Sequence, residues 1–68
     1  MKYLKERKLA QKVLKEELGF APTLENIIPL ESSHRNGICT YVLFEIKNSK
    51  RSIQYRATIG GELIINEE

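Results

Sequence analysis

The 68-residue chain has one cysteine, one histidine and no apolar run approaching the ~20 residues that cross a bilayer, and each shortage removes a class of protein. A lone Cys39 cannot staple a small secreted fold, because such folds depend on paired cysteines. One His with one Cys cannot fill a four-ligand zinc site unless carboxylates are gathered from elsewhere, so neither a metal nor a cofactor is expected. Charge of either sign is nearly balanced: a net +2 is too weak to demand a nucleic-acid partner. The opening stretch "MKYLKERKLAQKVLKEELG" scatters charges where a signal peptide needs an unbroken apolar segment. The expectation is a cytoplasmic protein without a membrane partner, of a size and style that fit a prokaryote or a virus infecting one.

What remains is the composition of a folded chain. Hydrophobic residues make up 41% and charged residues 29%, which excludes disorder, and 68 residues allow one domain with a marginal core. From Lys2 to Leu18 there are strong helix formers and no Gly or Pro, followed by Gly19 as a left-handed stop and Pro22 three positions on. At ~100° per residue, Tyr3, Leu4, Ala10, Val13, Leu14 and Leu18 share one side, with Leu9 at its margin. "FAPTLENI" reads as a connector. "IIPLES" reads as a short edge strand, since Pro29 cannot donate to a ladder. "SSHRNG" is turn chemistry centred on Asn36-Gly37, and strands are expected from Ile38 to Lys47, Ser52 to Ile59 and Glu62 to Asn66. The links between them are too short for parallel crossovers. The fold class is therefore α+β: one N-terminal helix on one face of a three- to four-stranded antiparallel β-meander, in the order α-β-β-β-β, over a single domain of residues 1–68.

One helix covers one face of such a sheet. Val42, Phe44 and Ile46 with Ile53, Tyr55 and Ala57 supply the inward set, and Ser52, Gln54, Arg56 and Thr58 alternate outward as water requires. "ICTYVLFEIK" breaks that rule. Its outward positions are Cys39, Tyr41 and Leu43 before Glu45 and Lys47 restore polarity, and a two-residue Ser49-Lys50 reversal sets Leu43 opposite Arg56 and Tyr41 opposite Thr58. The last hairpin has two registers. A Gly60-Gly61 turn leaves Leu63 and Ile65 outward, whereas a three-residue Ile59-Gly60-Gly61 loop with a glycine bulge turns them inward and Ile64 out; the second is preferred because a small core needs both side chains. Tyr41 and Leu43 stay outside in both.

That apolar half-face is either ordinary surface or an interface, and Tyr with Arg is a common interface pairing. Tyr41, Leu43 and Arg56 are the candidate partner-binding residues, for a foreign protein or for self-association as a homodimer. A second candidate is basic. Lys5, Lys8, Lys12 and Lys15 recur every three or four residues within a wedge of about 80° on the helix, and Lys47, Lys50 and Arg51 follow at a hairpin tip. The stripe serves as a solvated helix face or as a track for a phosphate backbone. A Cys39-His34 or serine-histidine catalytic arrangement is disfavoured, since His34 falls in a turn, nothing is placed to orient its imidazole and the chain is too small for an ordinary substrate pocket. No enzyme is expected. "IGGEL" lacks the helix and lysine of a phosphate loop and is a hairpin turn.

The succession of helix, short strand, "NG" turn, "YVLFEI", polar turn, "IQYRATI" and "GGELII" resembles the general pattern of PepSY-type modules, in which a helix packs on a short antiparallel sheet ending in a Gly-Glu-hydrophobic turn. The resemblance implies the topology and no function. Small phage-encoded inhibitors of host machinery share this economy of one helix and a few strands. The expected function is thus a non-catalytic protein-binding module, an inhibitor or accessory factor, with a nucleic-acid accessory protein as the alternative.

Overall fold

A computed structural model describes residues 1–47, 49–50 and 52–67. Helix α1 spans Leu4–Leu18, and a 3-10 turn at Leu24–Asn26 leads into strands β1 (Ile27–Arg35), β2 (Ile38–Ile46), β3 (Ile53–Thr58) and β4 (Leu63–Glu67). The four strands form one antiparallel sheet in the order β1-β2-β3-β4, with α1 packed across β1, β2 and β3 on one face. This is the expected α-β-β-β-β arrangement.

The helix stops where the sequence says it should. Gly19 takes φ 82° and its N–H donates to Lys15 O at 2.9 Å. Two side chains of α1 then hold the connector against the helix. Arg7 donates to the carbonyls of Lys2, Leu24 and Ile27 at 2.8, 2.9 and 2.6 Å, and Gln11 Nε2 donates to Pro22 O at 3.1 Å. The buried helix face is rotated from the expected one: Glu6, Ala10, Val13 and Leu14 are buried, whereas Tyr3, Leu4 and Leu18 are exposed. Beneath it lie Ile27, Cys39, Val42, Phe44 and Ala57, and the rings of Phe44 and Tyr55 stack at 5.3 Å.

Both described hairpin turns follow from residues that tolerate positive φ. Asn36 (φ 53°) and Gly37 (φ 78°) form a two-residue turn of the kind a twisted hairpin favours, but strand β1 runs on to Arg35, so Ser32, Ser33 and His34 belong to the strand and not to the turn. Between β3 and β4, Ala57 pairs with Leu63 and Arg56 with Ile64, and Gly61 sits at φ 87° with its N–H donating to Thr58 O. The three-residue loop is therefore the one present. Leu63 is half-buried on the core side and Ile64 faces out beside Arg56, but Ile65, expected to join the core with Leu63, is 50% exposed opposite Tyr55.

Two register shifts interrupt β1–β2 pairing. Pro29 pairs with Phe44 and Glu31 with Leu43, so Leu30 is an extra residue on β1; Ser33 pairs with Tyr41 and His34 with Cys39, so Thr40 is an extra residue on β2. The second shift overturns the expected outward Cys39. Beyond Thr40 the alternation changes sides, and Cys39 is buried beneath α1, 6% exposed.

Candidate functional site

The outer face of the sheet carries the residues the sequence singled out. Leu43 pairs with Arg56 and Tyr41 with Thr58, as expected from a reversal centred on Ser49-Lys50. One row crosses all four strands, from Glu31 through Leu43 and Arg56 to Ile64. Tyr41 and Leu43 are half-buried by their neighbours, Arg56 is exposed and Ile64 is 39% exposed. The Arg56 guanidinium carbon stands 4.8 Å from the centre of the Tyr41 ring, a cation–π contact worth about 0.5–1 kcal/mol at an exposed site. It presents a planar cation and an aromatic ring as one preformed unit, so little side-chain freedom remains to be lost on contact with a partner. The flanking edges differ. β1 is blunted by Pro29 and the Leu30 bulge, whereas β4, reading "LIINE", has neither proline nor lysine to discourage a further strand.

The lysine stripe divides. Lys5 Nζ donates to Gly37 O at 2.8 Å and ties the β1–β2 turn to the helix. Lys8, Lys12 and Lys15 are exposed and border a shallow open depression with Gln11, Phe20 and Ala21. Phe20, 70% exposed, was not anticipated; the signal was an aromatic residue placed directly after the helix stop, in what reads as a polar connector. Lys50 is exposed but lines a separate depression with Ile28, Glu45 and Lys47, and Arg51 lies outside the described residues. The hairpin tip and the helix stripe therefore do not share one depression.

A third group was dismissed from sequence on grounds the structure corrects. His34 lies in β1 directly opposite Cys39, and its Nε2 is 3.1 Å from Glu6 Oε1 on α1, so the imidazole does have an orienting partner. Glu6 is buried at 6% exposure, and one donor atom from each of Glu6, His34 and Cys39 lies within 4.8 Å of the others. Cys39 Sγ donates to Tyr41 O at 3.3 Å. Burial, and then the charge of Glu6, push the Cys39 thiol above its ordinary pKa. That is opposite to the lowered pKa of a nucleophilic cysteine.

Among the described residues, no helix is long and apolar enough to cross a membrane. The fold and these surfaces define a small α+β protein whose sheet is helix-covered on one side and open on the other. Comparison with known families, with functionally characterised proteins and with solved structures finds no match, so the functional reading comes from this geometry.

Proposed function

We propose that this protein is a non-catalytic binding module, an inhibitor or accessory factor of the cytoplasm, that docks a protein partner or a second copy of itself on the outer face of its sheet. The observation that carries the reading is the row Leu43–Arg56–Ile64 with Tyr41 stacked under Arg56, apolar and aromatic groups left outside by a helix that covers the opposite face. Tyr41, Leu43 and Arg56 form the contact centre, and Ile64 extends it toward β4. Pairing along the β4 edge is a second route continuous with the first, because main-chain hydrogen bonds supply affinity to an added strand while side chains on the face supply selectivity. The raised thiol pKa of Cys39 supports the non-catalytic reading.

The double substitution Tyr41→Ala with Leu43→Ala tests this. Neither side chain belongs to the buried core, so circular dichroism and the thermal melt should stay close to wild type. Partner capture that resists nuclease, or self-association in sedimentation, should be lost. Undiminished binding by the folded double variant refutes the proposal.

The second reading is a nucleic-acid accessory protein, favoured by one specific arrangement: Phe20 stands exposed beside Lys8, Lys12 and Lys15. Single-stranded nucleic acid is held by stacking on aromatic rings within a basic groove. Lys8→Glu with Lys12→Glu should then abolish binding to an oligonucleotide and flatten its salt dependence.

A further inference from the structure

We infer that Glu6, His34 and Cys39 form a binding site for a borderline-soft divalent transition metal, Zn²⁺ foremost, with a fourth coordination position left to water or an external ligand. The site lies on the helix-covered face of the sheet, so it is independent of the outer-face function.

Three features support it. The donors come from α1, β1 and β2, and it is the Thr40 bulge that turns Cys39 to the same side as His34 and sets the two opposite each other under Glu6. Without that extra residue, the thiol would project to the other face. Second, the distances suit the ion. Zn–N and Zn–O bonds of about 2.1 Å at a tetrahedral angle put N and O ~3.4 Å apart, and a Zn–S bond of about 2.3 Å puts sulfur ~3.6 Å from either. The His34 Nε2 to Glu6 Oε1 separation is 3.1 Å and the whole trio lies within 4.8 Å, so a side-chain movement of about 1 Å closes the set. Third, the charge arrangement calls for a cation. A buried carboxylate stands beside a buried thiol, and its ion-pair partner among the described residues is the partly exposed His34. A dication held between the carboxylate and the sulfur would supply the positive counter-charge there.

The binding step balances simply. The Cys39 thiol gives its proton to solvent as the S–metal bond forms, the neutral His34 imidazole keeps its proton on Nδ1 so that Nε2 binds the metal, and no electron is transferred. Mixed sulfur, nitrogen and oxygen donors favour Zn²⁺ over Mg²⁺ or Ca²⁺, which prefer oxygen alone. Three protein ligands leave one position of a four-coordinate ion open.

The test uses the full chain, stripped by a chelator and kept reduced, titrated with Zn²⁺ alone and with Co²⁺ as the spectroscopic probe. One equivalent should bind, and Zn²⁺ at roughly a hundred times Kd should raise the melting temperature by roughly 10–20 °C. Co²⁺ should give thiolate charge-transfer absorption in the near ultraviolet and the visible bands of four-coordinate cobalt. His34→Gln, which keeps a hydrogen-bond donor for the buried Glu6 carboxylate while removing the imidazole, and Cys39→Ser should each weaken binding at least about tenfold, since loss of a mere supporting residue already costs that much. Absence of both the melting shift and the sulfur-to-cobalt absorption overturns the inference. So does full-strength binding by the folded His34→Gln variant.

Discussion

Single residues decide more here than their number suggests. Glu6 is the clearest case: at ~100° per residue it falls about 20° from Val13 and 40° from Ala10, inside the arc that α1 buries. Glu17 falls in the same arc but stays exposed in the last turn, so helical position alone did not mark Glu6, and ranking positions by hydrophobicity hides a charged residue that goes inside because it has a partner. His34, the partner, was placed in a turn because Ser32, Ser33 and Asn36 surround it with turn-forming chemistry, whereas pairing with β2 holds the chain extended to Arg35. Cys39 permits a prediction with a definite sign. A group whose pKa is raised on folding contributes stability that is complete below its unfolded value and is lost as pH rises through the folded value. For Cys39 the unfolded reference is 9.0, so the stability of the metal-free protein should decline as pH climbs above about 9. Denaturant midpoints across that range should show the decline in wild type and a smaller one in Cys39→Ser. Alkylation of the folded protein near pH 8 should also be slower than that of a free thiol.

At the scale of elements, the sequence reading worked where local chemistry governs and failed where pairing governs. The Gly19 stop, the Asn36-Gly37 reversal and the Leu43–Arg56 register all follow from residues adjacent in the chain or symmetric about a turn. The bulges at Leu30 and Thr40 do not. An extra residue in a strand is specified by its partner strand, so nothing in "ICTYVLFEIK" alone reveals that Cys39 and Tyr41 point to opposite faces despite being two apart. The β3–β4 loop brings Leu63 against the core but leaves Ile65 50% exposed, so the core's demand for both side chains does not account for it, and it requires a positive φ at one position. Gly61 holds φ 87°, with Glu16 Oε2 3.7 Å from where a Cβ would stand, so space is available but the backbone conformation is costly for any other residue. Gly61→Ala should therefore destabilise by about 1–2 kcal/mol with the fold retained, read as a lower urea midpoint at unchanged slope. An unchanged midpoint would mean that the loop does not hold this conformation in solution.

For the molecule as a whole, the important asymmetry is between two faces of one sheet. A domain of this length carries a stability of about 3–10 kcal/mol, and the helix-covered face supplies its core. Phe44→Ala, which removes a fully buried ring stacked on Tyr55, costs about 3–5 kcal/mol and should leave much of the population unfolded. The uncovered face does not carry that burden, which is why Tyr41 and Leu43 can be altered while the fold stands. The sequence disclosed both faces through the alternation of β3 and its failure in β2. It did not disclose that Arg56 stacks on Tyr41, because that contact runs diagonally between neighbouring rows of the sheet.

The central claim is tested most directly by titrating one purified partner, or the protein itself if it self-associates, against wild type, Tyr41→Ala/Leu43→Ala and Lys8→Glu/Lys12→Glu at two salt concentrations. The outer-face variant should bind at least about tenfold more weakly, the loss expected when two residues at the centre of an interface are truncated, with the lysine variant within about twofold of wild type. A lysine variant that loses binding and salt dependence, beside an outer-face variant that keeps both, would contradict the account.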